Sequence, residues 1–180
     1  GSLWPRSIRR AARWADGLCG FSFGPSLQEV GGAFEGARKS WAEAGRPRPP
    51  RLVTSFWFAL GPRAQAQRDE YLRRYLNFLG AEVTEKLLPT VTTTSAQALR
   101  DALAGLRDLG TDEVILVPMT LDPDEIDRVV DLLDRGDPTG RESALRVALT
   151  AETPEMHAAL RDFALSQRGR DQMRIQAASK

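Results

Sequence analysis

The sequence predicts an α/β domain built on a parallel sheet, and three observations carry that prediction. Helix-type and strand-type segments alternate from residue 5 in the order α-β-α-β-α-α-β-α. Two strand segments, RLVTSFWFALG at 51–61 and VILVP at 114–118, are apolar over long stretches, the first on both faces from Phe56 to Leu60. Strands with two apolar faces belong to sheets covered by helices, and strands separated by helices pair in parallel through right-handed crossovers. Turn and capping residues also fall between the segments, where each element must start or stop.

The first helix begins at Pro5, whose missing N–H costs nothing in a first turn. Ile8, Ala11, Ala12 and Ala15 share one face at spacings of three and four. Arg6, Arg9, Arg10 and Arg13 spread round the other side. Asp16-Gly17 is a turn dipeptide and leads into a short buried strand, Gly17–Phe23. Gly24-Pro25-Ser26 ends it. Ser26 with Glu29 three residues on forms a capping box for a helix whose stripe is Leu27, Val30, Phe34, Ala37 and Trp41. That helix stops near Gly45, and Arg46-Pro47-Arg48-Pro49-Pro50 is an extended connector.

After the 51–61 strand, residues 63–79 read as a helix with Tyr71, Leu72, Tyr75, Leu76 and Leu79 buried. Val83–Leu88 fits a short helix, and Pro89–Thr93 a loop. Thr94 or Ser95 caps a helix carrying Leu99, Ala102, Leu103 and Leu106, closed by Gly110 as a C′ glycine. The VILVP strand follows. Asp122 as N-cap and Pro123 in the first turn then start a helix with Ile126, Val129, Val130 and Leu133 on its core face. The region ends near Gly136, and Asp137-Pro138-Thr139-Gly140 is a break. Two units are expected: 1–136 as the α/β domain and 137–180 as a linker and helical tail. In the tail, Glu142–Thr150 is ambiguous, Pro154–Gln167 is a helix, and the last dozen residues fray.

Composition sets the boundaries of function. The chain has 180 residues, 42% hydrophobic and 27% charged, with a net charge of +1. Nucleic-acid binding rests on a net basic surface, so no nucleic-acid partner is expected. Cys19 is the only cysteine, which excludes an intrachain disulfide and points to a reducing, cytoplasmic setting. His157 is the only histidine, which excludes a site of several His or Cys ligands within one chain. No nucleophile-elbow motif accompanies it. No apolar run approaches the length of a membrane span, and GSLWPRSIRR has no apolar signal-peptide core.

The string IRRAARWADG, a short strand, a capped helix, RLVTSFWFALG and DEVILVP resemble, in that order and spacing, the luciferase-like flavin-dependent oxidoreductases. These are (β/α)8 barrels that use FMN or the deazaflavin F420. The resemblance runs from about Gly1 to Arg135 and covers the carboxy-terminal part of the family barrel. It implies a partial, half TIM-type barrel of parallel strands with a helical tail. In the family a small Gly-rich loop before the first helix helps hold the cofactor phosphate. The resemblance puts that loop at Gly1, Ser2 and Leu3, with Arg6 and Ser7 adding a charge and a hydroxyl beside a helix start. Catalytic residues are not identified. A full barrel needs about 200 residues or more. The family's amino-terminal half is missing, with most contacts to flavin and substrate.

Three strands cannot close on themselves and leave open edges and a bare face. Two functional readings follow. The chain is a fragment or minimal domain related to flavin- or F420-dependent oxidoreductases and monooxygenases, incomplete for catalysis alone. Alternatively it is a non-catalytic half-barrel that forms a homodimer through its open sheet or joins a missing barrel half. Among individual residues, Ser22 and Thr120 fall at carboxy-terminal strand ends, where α/β barrels build their sites. Phe56, Trp57 and Phe58 read as core. Cys19 reads as a buried, inert small side chain. The acidic run Asp122, Asp124 and Glu125 serves a helix start, and the arginines of the first helix form a solvated face.

Overall fold

The computed structural model describes residues 4–136 and 146–149, with Pro154 and Ala158 as single helical positions. Its element order is α1 (Pro5–Ala11), β1 (Gly17–Phe21), α2 (Leu27–Glu43), β2 (Arg51–Phe58), α3 (Ala64–Tyr75), α4 (Ala81–Leu87), α5 (Ala96–Asp108), β3 (Glu113–Pro118), α6 (Asp124–Gly136) and β4 (Arg146–Leu149). The four strands lie in the sheet in chain order and all pair in parallel. The mixed α/β class with a parallel sheet is therefore as the alternation predicted. β4 is the strand the sequence left ambiguous within Glu142–Thr150. The expected 137–180 linker and tail otherwise lie outside the described residues, apart from Pro154 and Ala158.

Local signals explain most boundaries. Ser26 Oγ accepts the Glu29 N–H at 3.3 Å and starts α2. The return half of the capping box is replaced: Glu29 Oε2 accepts from Ser22 Oγ at 3.0 Å, which ties the helix start to the end of β1. Ser95 Oγ caps α5 through Ala98 N–H at 3.2 Å. Gly110, at φ 74°, ends α5 in the left-handed region that glycine adopts at least cost. The expected 63–79 helix divides, because α3 stops at Tyr75 and a 3-10 turn at Asn77–Leu79 precedes Gly80.

Alternation along the strands sorts side chains onto two faces. On the first face, Leu18, Leu52, Phe56, Phe58, Val114 and Leu116 are buried under α1, α2, α5 and α6. Phe34 and Trp41 of α2 are the largest helix side chains there. Each such side chain contributes about 1.5–3 kcal/mol by leaving water. On the second face, α3 and α4 cover only the carboxy-terminal half, where Trp57, Tyr71, Leu72, Leu76, Leu88, Val91 and Met119 pack together. Tyr75 and Leu79, expected on the buried stripe, are exposed: Tyr75, the last residue of α3, keeps one edge contact with Trp57, and Leu79 falls in the 3-10 turn after the helix.

Candidate functional site

The carboxy-terminal rim of the sheet is where the strand ends hand over to loops, and three polar residues organise it. Beyond β1, Ser22 N–H donates to Ser55 O at 3.0 Å, and Ser22 Oγ accepts from Ser26 N–H at 3.3 Å. Beyond β2, where β1 has already ended, Thr93 takes up the free edge. Ala59 N–H donates to Thr93 O at 3.1 Å, and the Thr93 hydroxyl donates to Trp57 O. Beyond β3, Thr120 Oγ1 accepts from Asp122 N–H at 3.1 Å and from Gln67 Nε2 at 3.2 Å.

A charged cluster sits between the β2 and β3 loops. Glu125, in the first turn of α6, is 0% exposed and accepts the Leu60 N–H on one oxygen. Its other oxygen takes Arg128 Nη1 at 3.0 Å. Arg128 also reaches Asp122 at 3.1 Å and Asp124 at 3.6 Å. The hydrogen bond to Asp122, and then that to Glu125, raises the guanidinium pKa above its ordinary value, so Arg128 stays charged at any working pH. Both Glu125 oxygens are engaged, which suits a clasp between loops rather than a mobile general base.

Below the rim on the second face, Trp57 is ringed by four aromatics. Phe21 meets it edge-on at 4.7 Å, and Phe23 stacks at 5.0 Å. Tyr75 and Tyr71 approach edge-on at 5.3 and 5.9 Å, and stack on one another at 5.7 Å. The amino-terminal half of the same face has no such cover among the described residues. Cys19 is exposed there, and Val53 and Ile115 are half-buried. The Arg51–Glu113 ion pair closes the bottom of this strip, with the Glu113 side chain nearly buried.

Cys19 is thus a correction to the sequence reading. β1 is apolar, but α3 and α4 do not extend far enough to bury its middle. Phe56, Trp57 and Phe58 are buried as expected. Ser22 is buried at the rim and bound to loop groups, and Thr120 is half-buried beside Gln67. Gly1, Ser2 and Leu3 of the expected phosphate loop lie outside the described residues, as does His157. Arg6 and Ser7 are exposed on α1, whose start has no side-chain cap. Sequence reasoning missed the Glu125–Arg128 clasp, and its only local signal is their i, i+3 spacing.

Among the described residues, no three His, Cys, Asp or Glu side chains are placed to hold a metal ion. No helix among them is long and apolar enough to cross a membrane. No family model, no curated protein and no solved structure matches this chain.

Proposed function

We propose that this chain is a half-barrel of β/α units whose role is assembly. The open lower half of its second sheet face is covered by the same face of another copy. The observation that carries this reading is Cys19, exposed in mid-strand beside half-buried Val53 and Ile115. Parallel strands in chain order, with α2, α5 and α6 on the first face, resemble consecutive barrel units, while α3 and α4, placed between β2 and α5, cover the carboxy-terminal half of the other face. Isologous pairing with a second copy is the commonest way to cover an open apolar face. Tyr75, Phe78, Leu79 and Val83 extend the exposed apolar surface on the α3–α4 layer over that face. Reaction of Cys19 with a thiol reagent tests the proposal. The rate falls as protein concentration rises, and Val53→Asp restores the fast rate at high concentration. A rate independent of concentration rejects self-association through this face.

A second reading concerns descent. Derivation from the luciferase-like oxidoreductases rests on the resemblance of the sequence from about Gly1 to Arg135. By that reading FMN or F420 would sit toward the carboxy-terminal rim and would supply the redox chemistry, while the protein supplies position. Arg6 and Ser7 are the described part of the proposed phosphate contact. Titration with FMN and with F420, followed by flavin fluorescence, separates the two readings: an unchanged signal leaves an assembling half-barrel without its own cofactor.

A further inference from the structure

We infer that the outer face of α1 is a docking surface for an anionic phospholipid membrane. Ile8 and Ala12 hold the helix against the first-face core. Beside Pro5 and Ser7, the residues they leave outward are cationic or aromatic. Arg6, Arg9, Arg10 and Arg13 are exposed, and none of them is ion-paired to a carboxylate among the described residues. Trp4 and Trp14, at the two ends of the helix, are 76% and 73% exposed. Asp16 is the first acidic residue of the chain, and Arg46 holds it at 3.1 Å. On the neighbouring α2, the exposed charges Glu29, Glu35, Arg38, Lys39 and Glu43 sum to −1, so the cationic excess is confined to α1. The sequence reading of a solvated arginine face left both tryptophans unexplained.

Arginines flanked by tryptophans match the headgroup layer of an anionic bilayer, where guanidinium groups meet phosphate and indole rings rest at the interface. Single-stranded nucleic acid is bound instead in a groove that tracks its backbone. This face is the convex side of one short helix and suits a flat, yielding surface better.

The test is co-sedimentation with vesicles of mixed phosphatidylcholine and phosphatidylserine, against vesicles of phosphatidylcholine alone. The expected result is binding to the mixed vesicles only, weakened by salt. A blue shift of tryptophan emission comes from Trp4 and Trp14, because Trp41 and Trp57 are already buried. Arg9→Gln with Arg13→Gln weakens binding roughly thirtyfold, from about 1 kcal/mol per arginine near an anionic surface. Trp4→Ser with Trp14→Ser abolishes the blue shift. Four results would each overturn the inference: no sedimentation with the mixed vesicles at low salt, equal binding to both vesicles, undiminished binding by the arginine variant, or binding to a single-stranded oligonucleotide in place of vesicles.

Discussion

Gly24 backs directly onto the carbonyl of Thr90, so closely that a Cβ on Gly24 would overlap the carbonyl oxygen. This contact joins the loop after β1 to the turn after α4, and so fixes the cover of the second face. The obstacle is backbone, which cannot swing aside as a side-chain tip would. Gly24→Ala therefore costs about 1–3 kcal/mol, the usual penalty of forcing extra atoms into packed structure. Urea denaturation measures it. A variant as stable as the parent would mean that the α4 turn can move freely.

Glu125 is the buried anchor of the rim. Its removal strands the Leu60 N–H and leaves Arg128 with only Asp122 and Asp124. Glu125→Ala is expected to destabilise by roughly 1.5–3 kcal/mol, the scale of hydrogen bonds to charged groups. Arg128→Ala should cost less, because its side chain is 30% exposed and the Leu60 bond survives. The order of the two unfolding midpoints checks the assignment, and the reverse order contradicts it.

The pair Arg73–Glu85 joins α3 to α4 through two hydrogen bonds, at 2.6 and 3.1 Å. The bond from Arg73 holds the Glu85 carboxyl below its ordinary value. A carboxyl lowered in the folded state stabilises above the usual carboxylate range, and that contribution is lost as pH falls through the folded value. Amide hydrogen exchange in α4 should accelerate across that acid window more in the parent than in Glu85→Gln. Identical acid profiles would show that the pair does not hold α4.

Much of this fold is legible in the sequence because its signals are local. Ser26, Ser95 and Gly110 mark helix ends by chemistry that acts within one turn, and the strands at 51–58 and 113–118 announce themselves by the apolar runs that begin at Phe56 and Val114. β4 is only four residues long, too short for any period to show. The exposure of Cys19 is set by how far α3 and α4 reach across the sheet, which no residue near Cys19 encodes. Glu125 looks like any acidic residue at a helix start. Its burial depends on Leu60, 65 positions away.

Sedimentation equilibrium over a wide dilution range tests the central claim, that a second copy covers the open sheet face, most directly. A species of twice 19.9 kDa that dissociates on dilution is expected, with Val53→Asp monomeric throughout. A parent chain that stays at 19.9 kDa at every concentration would contradict it.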